Sequence, residues 1–150
     1  MQLNIPTEEF RYKKGGDGDK TQIFDKLRRK FVALTPEEWV RQNFVAYLIK
    51  YKAYPAGLIA NEMALMQNGI KRRCDTVVLT RQGEPLMIIE YKAATVKITQ
   101  DVFNQILRYN SVLRAKYLIV TNGMVHYCCQ LSEDSAEYIF IGDIPEYSQL

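Results

Sequence analysis

Leu86-Met87-Ile88-Ile89 is apolar at four successive positions and then stops at Glu90 and Lys92, and this constrains the chain more than any other feature. Side chains alternate along a strand, so a run without alternation belongs to a strand covered on both faces. Charges rarely enter such a strand. Glu90 and Lys92 are two residues apart and project from the same face, one pleat apart. Upstream, Val77-Val78-Leu79 reads as a second apolar strand opened by Asp75, and Arg81-Gln82-Gly83-Glu84-Pro85 reads as the turn between them. Pairing about Gln82-Gly83-Glu84 brings Asp75 next to Glu90 and Lys92, because all three flank the open end of the hairpin.

Two carboxylates and an ammonium gathered at one place suit a hard divalent cation. Magnesium takes oxygen ligands and commonly only one or two protein carboxylates, leaving room for water and phosphate. Asp75 and Glu90 fit that role. Lys92 fits the orientation of a water or the neutralisation of charge on a phosphodiester. The plain alternative is a solvated Glu-x-Lys surface pair and an aspartate in a turn.

The remaining composition sets wide bounds. A chain of 150 residues, 47% hydrophobic, is long enough for one domain with a real core. A net charge of +3 and a pI near 8.7 are compatible with a polyanionic partner without requiring one. No apolar run spans a bilayer and the start lacks a signal-peptide pattern, so no membrane association and a cytoplasmic location are expected. Three cysteines and the lone His126 match neither a disulfide framework nor a zinc site, so Cys128, Cys129 and His126 read as structural.

In chain order, residues 1–33 form a charged arm expected to pack on the core, and residues 34–150 the main domain. The arm carries Arg11, Lys13, Lys14, Lys20, Lys26, Arg28, Arg29 and Lys30 around Gly15-Gly16-Asp17-Gly18-Asp19, read as a loop or hairpin tip, with a phosphate loop as the alternative. Thr35-Pro36-Glu37-Glu38 predicts a helix start with a capping box. Val40, Phe44, Val45, Tyr47, Leu48, Ile49 and Tyr51 continue it as a core-facing stripe ending near Tyr54-Pro55-Ala56-Gly57. Glu38 is either the capping residue or a third metal carboxylate.

Leu58 to Leu65 reads as a strand of unclean period, followed by a turn at Asn68-Gly69. Lys71-Arg72-Arg73 is then either a solvated loop or a phosphate-contacting edge next to Asp75. A second helix is expected after Lys92, running to about Arg114, with Ile98, Val102, Ile106, Tyr109 and Leu113 inward and Gln105 on the same stripe. A glutamine there needs a hydrogen-bonding partner. It is either a satisfied core residue or, with Tyr109, directed toward Glu90 and Lys92. Tyr117 to Thr121 and Val125 to Leu131 form a hairpin about Asn122-Gly123, Ser132 to Ala136 a loop, and Tyr138 to Ile141 a last short strand.

Asp75, Glu90-Tyr91-Lys92 and Gln105-Ile106-Leu107-Arg108-Tyr109, in that order, resemble the Asp…(Asp/Glu)-x-Lys core and Gln-x-x-x-Tyr motif of the PD-(D/E)XK nuclease superfamily. Further blocks resemble the N-terminal nuclease domain of type I restriction enzyme R subunits: 34–42, 71–75, 90–93, 96–100 and 117–123. Cys74 stands where the superfamily motif has proline. The resemblance implies an α/β, restriction-endonuclease-like core with a central mixed β-sheet flanked by helices, and DNA cleavage dependent on Mg2+ or Mn2+. It implies Asp75 and Glu90 as metal ligands, Lys92 positioning the attacking water, and Gln105 and Tyr109 supporting the site. A further acidic ligand maps to Glu38, with Glu37 and Glu62 competing.

R subunits continue into an ATP-driven motor, and this sequence has no Gly-x-x-x-x-Gly-Lys-Ser/Thr loop. Targeting is therefore expected from a protein partner or a homo-oligomer. The alternatives are a catalytically silent nucleic-acid-binding or protein-interaction module that keeps the fold, and a purely structural partner subunit.

Overall fold

The computed structural model describes residues 2–15, 20–67, 69–111, 113–134 and 137–150. The sequence reading of Gly16 to Asp19, Asn68, Ser135 and Ala136 lies outside the described residues.

A six-stranded sheet of order β4-β5-β6-β7-β8-β9 forms the centre: β4 (Ile59–Gln67), β5 (Ile70–Leu79), β6 (Pro85–Tyr91), β7 (Tyr117–Thr121), β8 (His126–Leu131) and β9 (Tyr138–Ile141). Neighbours are antiparallel except β6 and β7, which are parallel. Parallel neighbours need a crossover, and α2 (Gln100–Ser111) provides it. α1 (Pro36–Tyr51) covers the other face. One core joins Val40, Phe44, Val45 and Leu48 of α1 to Val78, Met87, Ile89 and Ile119. The other joins Phe103 of α2 to Val77, Ile88, Leu118 and Val120. Alternate residues of β5, β6 and β7 thus enter opposite cores, which is why those strands are apolar throughout. The expected α/β core with a mixed sheet flanked by helices is the observed one.

Residues 12–33 form a separate three-stranded antiparallel sheet, β1 (Tyr12–Lys14), β2 (Thr21–Asp25) and β3 (Lys30–Ala33). Its inward side buries Ile23 and Asp25 completely or nearly so.

Several local expectations change. β5 begins at Ile70, so Lys71, Arg72 and Arg73 lie on a paired strand rather than in a loop. β4 owes its unclean period to Glu62, whose φ of +58° is left-handed and which is skipped in a register that pairs Asn61 with Thr76 and Met63 with Cys74. α2 starts at Gln100, and Ile98, Val102, Ile106 and Leu113 join one core as expected, with Phe103 added to it. Phe103 and Asn110 are buried, with Ile106 and Leu107 half-buried, whereas Gln105 is exposed and Tyr109 is 38% exposed. Gln105 is therefore not a core glutamine. α1 starts as expected, with Thr35 Oγ1 accepting the Glu38 N–H at 3.0 Å, but the Glu38 carboxylate does not return to close a capping box. Instead it turns into the protein.

Candidate active site

The hairpin of β5 and β6 closes through Thr80 to Glu84, with Gly83 at a φ of +85°, a value open to glycine at little cost. Thr76 pairs with Ile89, so the next rung sets Asp75 opposite Glu90 at the far end, as the sequence suggested. Asp75 Oδ2 accepts the Tyr91 N–H at 3.0 Å. Lys92 follows, half-buried, with its N–H donated to the Thr121 carbonyl at 2.9 Å.

Glu90 is held in an environment hostile to its charge. Burial is the largest influence, the Asp75 carboxylate beside it adds repulsion, and together they push its pKa up to about 9. The Asn110 amide from α2 and the Lys92 ammonium act in the opposite direction. Glu90 Oε1 is buried without a hydrogen-bond partner. Two facing carboxylates, one with an orphaned buried oxygen, offer the hard oxygen donors that magnesium or manganese takes. The residues present fit such an ion. No cluster of three or more potential ligands occurs among the described residues; Asp75 and Glu90 form a pair.

Asp75 also borders an open cleft of about 270 Å3, lined by Val32, Ala33, Glu38, Arg41 and Glu62, among others. Arg41, only 8% exposed, organises it. Its Nη1 donates to the Asp75 carbonyl at 3.0 Å and to Glu62 Oε1 at 2.7 Å, while Nε and Nη2 donate to the two oxygens of Glu38 at 2.8 and 2.7 Å. Arg28 Nη2 and Gln42 Nε2 also donate to Glu38, at 2.7 and 3.0 Å. Burial alone would raise the Glu38 pKa, but the bonds and charges of Arg41, with Arg28 and Gln42, outweigh it and hold the group ionised. Both Glu38 oxygens are thus taken by cationic or amide donors. Glu38 anchors the cleft rather than presenting a free ligand. Glu62 is likewise shared, its Oε2 accepting Arg73 Nε at 2.7 Å.

The polar chain continues inward. Arg28 pairs with Asp25, whose Oδ2 accepts from Asn61 at 3.1 Å, and Asn61 accepts Thr76 Oγ1 at 2.7 Å. The Tyr91 hydroxyl donates to Thr76 at 3.0 Å. Each group is satisfied by its neighbour, as buried polar groups must be. This chain ties β2, α1, β4, β5 and β6 together around Asp75.

Of the residues singled out in the sequence, Asp75, Glu90 and Lys92 come together. Gln105 stands away on the solvent face of α2. Tyr109 is set against β5, its ring under the Arg72 guanidinium at 4.4 Å and its hydroxyl 3.5 Å from the Arg73 carbonyl. Lys71 is exposed, and the Arg73 side chain is 71% exposed despite its bond to Glu62. Sequence reasoning missed Arg41, Arg28, Asn61 and Asn110. Arg41 and Asn110 carried a usable signal, since each lies at helical spacing from buried apolar neighbours. His126 accepts or donates a 2.7 Å bond with Thr121 and lies against the Phe44 ring.

No helix among the described residues is long and apolar enough to cross a membrane. The family model described as type I restriction enzyme R protein N terminus matches residues 36–145. No curated protein matches the chain.

Proposed function

The chain belongs to the type I restriction enzyme R protein N-terminus family, a nuclease-like domain, and from that premise we propose that it hydrolyses DNA phosphodiester bonds with a divalent cation held by Asp75 and Glu90. The observation that carries this reading is the facing carboxylate pair with an orphaned buried oxygen, under the influence of the Lys92 charge, with Asp75 bordering an open cleft. A bound Mg2+ or Mn2+ would supply charge stabilisation at the phosphoryl oxygens and a more acidic water.

The chain's own residues do the rest. Asp75 is kept in place on both sides, by the Tyr91 N–H on its carboxylate and by Arg41 on its carbonyl. Lys92 orients a water for in-line attack on phosphorus and offsets charge building on the phosphate. Arg72, Arg73 and Lys71, on the strand that carries Asp75, contact flanking phosphates. Tyr109 supports Arg72 through its ring rather than reaching the carboxylates. Gln105, on the outer face of α2, is left to a contact with the DNA backbone.

Calorimetric titration with Mn2+ tests the metal site directly. Wild type should bind one ion, and Asp75→Asn or Glu90→Gln should abolish the heat while leaving the fold intact by circular dichroism. Undiminished binding in both variants would remove the basis of the proposal. A protein that binds DNA in a salt-dependent way with no metal affinity would instead be the silent nucleic-acid-binding module.

A further inference from the structure

The basic excess of this chain is not spread over it. Residues 10–33 carry eight Lys and Arg against three Asp, while the rest carries twelve against fourteen Asp and Glu. The net positive charge therefore belongs to the segment of the three-stranded sheet, which precedes the family match at residue 36.

Strand register places Lys13 opposite Gln22 and Ala33, and the next row but one sets Phe24 opposite Phe31. These rows share the face opposite to buried Ile23. On that outward face Phe24 and Phe31 meet edge to face at 5.2 Å. The Arg11 guanidinium lies over Phe24 at 4.8 Å and the Lys13 ammonium over Phe31 at 4.4 Å. Among the described residues neither cation has a carboxylate partner, in contrast to Arg28, Arg41 and Arg73. A cation resting on an aromatic ring is held against the sheet while keeping its donors for another acceptor. β3 then runs from this face into the cleft, where Val32 and Ala33 line the same cavity as Asp75.

We infer that the outward face of the three-stranded sheet is a second DNA contact, in which Arg11 and Lys13, steadied by Phe24 and Phe31, grip the phosphate backbone of a duplex whose scissile segment lies in the Asp75 cleft. The inference deepens the nuclease reading and rests on it for the choice of DNA as the polyanion. The face reads charge and not sequence, because its donors are set for phosphates.

The test is the binding of a fluorescein-labelled duplex of arbitrary sequence to the full chain in EDTA over a salt series, comparing wild type, Arg11→Ala/Lys13→Ala and Lys116→Ala. Lys116 lies at the opposite end of β7 from Glu90 and serves as a control for charge alone. The double variant should lose about two from the slope of log affinity against log salt, and roughly tenfold or more in affinity at low salt. Lys116→Ala should track the wild type. That result supports the inference whether or not the wild type cleaves DNA with Mg2+. A double variant that binds the duplex like wild type overturns it, and does so without touching the nuclease reading if the wild type cuts and Asp75→Ala does not. A wild type that binds anionic phosphatidylserine vesicles but no duplex also overturns it, assigning the face to a lipid surface.

Discussion

Arg41 donates to the backbone carbonyl of Asp75 at 3.0 Å, and this bond ties the first helix to the strand that carries the Asp75 carboxylate. The same guanidinium satisfies Glu38 and Glu62, so its removal leaves a buried carboxylate with only Arg28 and Gln42. Breaking a buried ion pair from one side costs about 3–5 kcal/mol. Arg41→Ala should therefore lower Tm sharply, and Arg41→Lys should recover part of the stability without restoring the Asp75 contact. Thermal melts with a Mn2+ titration of the lysine variant check this, with weakened metal binding at near-normal fold as the expected signature.

Acid sensitivity follows from the same cluster. Asp25 and Glu38 are buried, which by itself would raise their pKa values, yet Arg28, Asn61, Arg41 and Gln42 hold both below their ordinary values of 3.8 and 4.5. A carboxyl depressed on folding contributes stability that is present above its unfolded pKa and lost as pH falls through the folded one. The contribution of these two carboxylates should thus be constant near neutrality and decline from about pH 4.5 downward. Glu38→Gln should start lower and show a shallower decline, read from Tm against pH.

Glu90 predicts the opposite effect. Its charge is opposed by burial and by Asp75, so the metal-free fold at pH 7.5 carries a cost that a neutral isostere removes. Glu90→Gln should raise the Tm of the metal-free protein, by about 1 kcal/mol in stability, while eliminating any stabilisation by Mn2+. A Tm that falls in the variant would mean that Glu90 is already satisfied.

Glu62 adopts a φ of +58° inside β4, a conformation that favours glycine. Glycine ordinarily weakens a strand relative to alanine, but here alanine must bear left-handed strain that glycine avoids. Both substitutions lose the ion pairs to Arg41 and Arg73. Glu62→Gly should consequently be the more stable of the two by about 1 kcal/mol, reversing the usual strand order. Urea denaturation of the two variants gives the comparison.

The hairpin and the meeting of Asp75 with Glu90 were legible because they depend on alternation and turn chemistry, both local. The helix after Lys92 was legible in existence and in most of its stripe, since Ile98, Val102, Ile106 and Leu113 share one core. What was misplaced is the stripe's edge: Gln105 and Tyr109 stay exposed, while Phe103 and Asn110 are buried. Glu38 could not be read at all from its surroundings in sequence, since a glutamate at the third position of a helix is ordinary there. Its real partners, Arg28 and Arg41, come from the turn between β2 and β3 and from the next turn of its own helix, and only the fold brings them to both oxygens. The left-handed backbone at Glu62 has no local signature either, because glutamate is not a residue that favours it.

Cleavage of linear, circular and single-stranded DNA with Mg2+ or Mn2+, by wild type beside Asp75→Ala and Lys92→Ala, bears most directly on the site. The predicted result is cleavage by the wild type, abolished by EDTA and lost in both variants, with fold and DNA binding retained. Cleavage that persists in Asp75→Ala, or a folded wild type that binds Mn2+ and DNA but cuts none of the three substrates, would contradict the assignment of Asp75, Glu90 and Lys92 as a hydrolytic centre.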